Sequence, residues 1–192
     1  MKNNFSLKNH FMHNFFFYIG ASLIAGASLS YGINMRLAAK DYEKFSIFIV
    51  SEDLKMKDFK DDVQEVLGES IIELNVYRNT PNSIAYDATY RTQGWSSDIM
   101  ILPKERVYDE DVISYLDLPE EYQTENSYKV GDKVVGLEMY NGVTGHLTNY
   151  ITYDESEYYL FINPDSVHLN GINDKQGKTD SVNKVLRWMI NV

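Results

Sequence analysis

Carboxylates and tyrosines are the chemically capable side chains this sequence holds in quantity: 28 acids and 15 tyrosines, beside four histidines and no cysteine. The lack of cysteine removes disulfides, thiolate metal ligands, a cysteine nucleophile and a lipid-modified cysteine, and it fits an extracytoplasmic protein. His10 and His13 precede a long uncharged stretch, which leaves His146 and His168 to the body of the chain. Neither has a second ligand at metal spacing, so no metal site is expected. There is no G-x-S-x-G elbow, no Walker loop and no G-x-G-x-x-G, so no cofactor is expected either. Residues 165–180 are rich in oxygen ligands but lack the ordered acidic spacing of a calcium loop. Neighbouring acids such as Asp109, Glu110 and Asp111 can do acid–base work only where folding converges them.

The elements that would position these groups read most clearly in the first half. FSIFIV at 45–50 is apolar on both alternations, as a strand buried on both faces must be. Ser51, Glu52 and Asp53 can cap the helix that follows, from Leu54 to Leu67, with Phe59, Val63, Val66 and Leu67 on one stripe and Gly68 as its stop. IIELNVY (71–77) predicts a second strand. A second helix is expected from Ser83 to Gln93, with Ile84, Ala85 and Ala88 inward, and a third strand over 97–103. This β-α-β-α-β order with short links makes the fold class α/β: a three-layer sheet with a parallel core, to which antiparallel strands are added. Those strands are expected at 133–140, ended by Asn141-Gly142, and as a hairpin of 146–153 with 158–163. Val182, Val185, Leu186, Met189 and Ile190 sit at helical spacing and close the chain behind Ser181.

In such a sheet, ligands bind beyond the carboxyl ends of the strands. That places Ser51, Glu52, Asp53, Arg78, Asn79, Pro103 and Lys104 around the candidate crevice, as a geometric default that helix capping would equally explain. Tyr86, Tyr90, Trp95 and Tyr140 offer flat faces for a sugar or other small ligand, though tyrosine on a sheet is commonly half-buried surface. Trp95 stands out because a polar Gln-Gly-Trp-Ser-Ser loop carries it.

No charge occurs from Asn14 to Met35, and 15–33 as a helix would rise about 28 Å, close to the hydrocarbon thickness of a bilayer. The expected organisation is a cytoplasmic tail (1–14), one N-terminal transmembrane helix serving as anchor or signal segment (15–35), a linker (36–44) and an extracytoplasmic domain (45–192). A cleaved signal peptide ending near Ser28 and Ser30, and a buried core helix, are the rival readings. The formal charge is −10. The first 36 residues hold only Lys2, Lys8 and Arg36, which leaves 15 bases against 28 acids in the rest. So acidic a body repels nucleic acid at long range. The partners expected are the membrane, a membrane protein or a small-molecule solute.

The stretch from FSIFIVSEDL to SSDIMILPKERVYDEDVISYLDLP resembles the first lobe of extracellular (type II) solute-binding proteins of ABC importers. YYLFINPDSVHLNG with the terminal amphipathic helix is similar to their late return to that lobe. The resemblance covers about 110 residues and implies a reduced solute-binding lobe, without the second lobe or the anchoring cysteine of that family. Two functions are consistent with these features. One is a membrane-tethered, non-enzymatic binding or interaction module. The other is an extracytoplasmic enzyme acting on cell-wall or carbohydrate material through carboxylates.

Overall fold

The run at 45–50 is apolar on both alternations because both its faces are covered. The computed structural model describes residues 7–37, 39–151, 156–173 and 175–190, with side chains at 7–13 and 31–37 excepted. Strand β1 (Lys44–Val50) sends Phe45, Ile47 and Ile49 into one buried cluster and Phe48 and Val50 into a second. The chain divides into two compact units, Met1–Ala39 and Lys40–Val192.

The larger unit is α/β, built on a six-stranded mixed sheet with strand order β2-β1-β3-β6-β5-β4. Its strands are β1, β2 (Glu73–Asn79), β3 (Ile99–Pro103), β4 (Tyr128–Val130), β5 (Lys133–Asn141) and β6 (Glu157–Ile162). β1 pairs in parallel with both β2 and β3, and the remaining pairings are antiparallel. Parallel neighbours need crossovers. The first is α2 (Met56–Leu67), which buries Phe59, Val63 and Leu67 and ends at Gly68, whose φ of 65° suits glycine. The second carries α3 (Tyr86–Thr89) and a π-turn over Tyr90–Gly94, closed by the Trp95 amide donating to the Tyr90 carbonyl. α2 and α5 (Ser181–Ile190) pack on one face of the sheet, while Tyr86, Tyr90 and Val112 of α4 (Asp109–Val112) pack on the other.

The structure corrects two local expectations. Ile84, Ala85 and Ala88 do not face inward: all three are exposed, and Tyr86 and Tyr90 cover the sheet in their place. The helix therefore starts at Tyr86, one register away from the small-residue stripe. The expected hairpin of 146–153 with 158–163 does not form. His146–Asn149 is a 3-10 turn, and β6 pairs with β3 and β5 instead. His146, Leu147, Tyr150 and Ile151 are buried with helical spacing, and Leu54 and Ile151 make an isolated bridge. Residues 152–155, which include the expected hairpin loop, lie outside the described residues.

In the smaller unit, α1 (Leu7–Leu37) runs for 31 residues. Phe16, Phe17, Leu23, Ile24 and Leu29 are exposed. Among the described residues, no helix is long and apolar enough to cross a membrane.

Candidate functional site

The parallel strands deliver their loops to one end of the sheet. β1 and β2 remain joined one step past their ends, where the Ser51 amide donates to the Asn79 carbonyl at 2.9 Å. β6 runs antiparallel to β3 with Pro103 opposite Tyr158, so the start of β6 lies beside the end of β3. A cavity of about 290 Å³ forms there, lined by Glu52, Asp53, Pro81, Asn82, Glu105, Arg106 and Ser156. An adjoining cavity of similar volume shares Pro81, Asn82 and Arg106 with it and reaches Tyr86 and Asp87.

Most of the lining is held in place by its own hydrogen bonds. The Asn82 amide donates to Glu52 at 3.1 Å, and the Ser156 hydroxyl donates to Glu105 at 2.8 Å. The Arg106 guanidinium donates to the Pro81 carbonyl and lies 5.0 Å from the Tyr86 ring centroid, in cation–π contact. Three groups at this end are different. Ser51 Oγ, Asn79 Nδ2 and Tyr86 OH are buried and have no hydrogen-bond partner among the described residues. Burial pushes the Tyr86 hydroxyl up to about 12, against the opposing pull of Arg106.

The sequence-derived residues divide accordingly. Ser51, Glu52, Asp53, Asn79, Pro103 and Lys104 all lie at this end. Only Glu52 and Asp53 line the first cavity, while Ser51, Asn79 and Pro103 are buried. Lys104 is paired with Glu157 at 2.7 Å. That bond, and a second from Tyr159, hold the Glu157 carboxyl below its usual range. Arg78 is exposed on edge strand β2 and lines neither cavity. Tyr140, on β5, packs against Tyr158 with ring centroids 6.4 Å apart. Trp95 lies at the opposite end of the sheet, before the start of β3. It lines a separate cavity with Glu110, Asp111 and Asp165.

The chain matches no family model, no curated protein and no solved structure.

Arg106 and Glu105 were not singled out from sequence. The available signal was their position just past the buried run ILP, as the third loop at the same sheet end. Of the histidines in the body, His168 is structural: its Nε2–H donates to the Lys44 carbonyl and its Nδ1 meets Thr179 Oγ1, both at 2.6 Å. A carbonyl can only accept, which fixes the proton on Nε2. His146 is buried, with neither ring nitrogen partnered among the described residues. Among the described residues, no group of histidines or acids could hold a metal ion.

Proposed function

We propose that this chain is a membrane-tethered, extracytoplasmic binding module, related in fold to one lobe of a solute-binding protein, which takes a small polar solute at the carboxyl end of its parallel strands. The observation that carries this reading is the pair of adjoining polar cavities there, one of them lined by Tyr86 with its unpartnered hydroxyl. A buried donor or acceptor left without a partner costs about 1–3 kcal/mol; Tyr86, whose hydroxyl is such a group among the described residues, lines the second cavity, while Ser51 Oγ and Asn79 Nδ2 lie at the same end of the sheet but line neither cavity. A ligand with a hydroxyl or amide group would satisfy the Tyr86 hydroxyl, and the pre-formed Arg106, Asn82 and Glu52 would orient it. The tether is supported by the uncharged stretch 15–33 and by the exposed apolar side chains of α1.

The test is a thermal-shift screen of the full-length chain in detergent against sugars, amino acids, peptides and divalent cations. A solute present at a hundred times its dissociation constant should add about 2.7 kcal/mol, raising the midpoint by roughly 5–10 °C. Arg106→Ala should abolish the shift. No shift from any class would refute solute binding. Release of the chain from membranes by alkaline extraction would refute the tether.

A further inference from the structure

The end of the sheet opposite the crevice holds a second concavity, of different chemistry. It measures about 290 Å³ and combines the Trp95 indole and Tyr115 with the carboxylates of Glu110, Asp111 and Asp165. We propose that it binds an alkylammonium group. This site goes beyond the crevice reading and does not depend on it.

Two independent observations lead there. The first is Trp95 itself, which stays 50 % exposed inside a concavity although a large apolar ring is ordinarily drawn into the core. Its position is fixed. The Trp95 amide is bound to the Tyr90 carbonyl, its own carbonyl accepts from Asn163 Nδ2 at 3.1 Å, and its ring meets Tyr90 edge-on at 6.3 Å. An indole held open in this way presents the ring face that attracts cations most strongly.

The second observation is charge. No lysine or arginine lines the cavity, and no ion pair reaches Glu110, Asp111 or Asp165 among the described residues. Lys175, whose ammonium donates to the carbonyl of the lining residue Pro164, brings one positive charge near the cavity against its three carboxylates. The hydroxyls of Tyr90 and Tyr115 are pushed well above the ordinary tyrosine range, chiefly by burial and further by the charge on Asp111. A neutral sugar would stack on the indole but leave this negative field uncompensated. An anion would be repelled. A divalent metal would need ligands gathered around one point, and the acids of the described chain are not so gathered. A compact organic cation satisfies both halves of the site: its positive face lies on the ring and its charge among the carboxylates. The volume, at the lower limit for ligand pockets, suits a headgroup-sized ion.

The test is isothermal titration of the full-length chain with choline and with its neutral isostere, in which carbon replaces the quaternary nitrogen. Saturable choline binding is expected, with the isostere roughly tenfold weaker or worse. Trp95→Leu and Asp111→Asn should each weaken choline by a similar factor. Unchanged circular dichroism and thermal midpoints would show that these variants still fold. Vesicles carrying a choline headgroup, run beside the free cation, tell a lipid source of the ammonium from a soluble one, and binding of either supports the site. Equal binding of choline and its isostere would overturn the proposal. So would full affinity in a folded Trp95→Leu, or no saturable binding of the free cation or the vesicles.

Discussion

His146 should make this fold acid-sensitive between pH 6.5 and pH 4. Its side chain is only 7 % exposed, neither ring nitrogen has a partner among the described residues, and its ring centroid lies 4.2 Å from that of Trp188 and 5.8 Å from that of Tyr150. The charge acting on it is Asp62, which accepts a 2.6 Å hydrogen bond from Tyr150 and favours protonation. Burial outweighs that attraction and lowers His146 to about 4 from the ordinary 6.5. The folded value lies below the unfolded one, so between the two the unfolded chain binds more protons. Stability is then full above about pH 6.5, falls as the pH drops towards 4, and levels off below it. At 1.36 kcal/mol per pK unit the loss amounts to about 3 kcal/mol, or roughly 6–12 °C in thermal midpoint for a domain of this size.

The measurement is the stability of the native chain and of His146→Phe at several pH values from 7 to 4. Phenylalanine keeps the ring against Trp188 and removes the titration. Carboxylates common to both proteins cancel in the difference, which should swing by about 3 kcal/mol in favour of the variant as the pH falls. A difference that stays constant from pH 7 to pH 4 would refute the reasoning, as would an NMR titration of His146 centred near 6.5.

Two further outcomes follow from the core. A Cβ at Gly136 would lie 2.8 Å from both Phe161 Cε1 and Tyr128 Cβ, so Gly136→Ala should destabilise the fold by about 1–3 kcal/mol, read from the urea midpoint. His168→Leu takes from the Lys44 carbonyl its His168 donor and leaves the Thr179 hydroxyl with Ser181 alone. It should cost about 2 kcal/mol by the same measurement, with ligand binding in either cavity unaffected once the protein is folded.

What could be read from sequence depended on how many faces each segment buries. The 45–50 and 97–103 runs declared themselves because every position but Ser46, Ser97 and Asp98 is apolar, and α5 because Val182, Val185, Leu186 and Met189 keep one stripe. HLTNYITY misled because its apolar residues also satisfy a two-residue alternation. The burial of His146, Leu147, Tyr150 and Ile151 follows the four-residue alternative that was also present. At 83–93, the small residues were taken for the inward face, and the tyrosines won because each covers far more of the sheet. The crevice was legible only as a location. Its orphaned groups depend on which hydrogen bonds remain unmade once the loops have closed, and no local pattern encodes that. Asp111, on α4, and Asp165, in the loop after β6, are far apart in sequence and line one cavity beside Trp95, which the pairing of β3 with β6 brings about.

That pairing also has a consequence in time. β1, β2 and β3 come from one continuous stretch of chain and can associate as soon as it is made. The other edge of β3 is covered only by β6, which begins more than fifty residues later. Until Glu157–Ile162 has been synthesised, Ile99, Met100, Ile101 and Leu102 stand on an open, wholly apolar strand edge, the kind of template on which nascent chains stick to one another. The long-range closure also raises the contact order of an otherwise local fold and so slows its final step. The β3–β6 seam is therefore the point at which a growing chain is most exposed to misassembly and most in need of a chaperone.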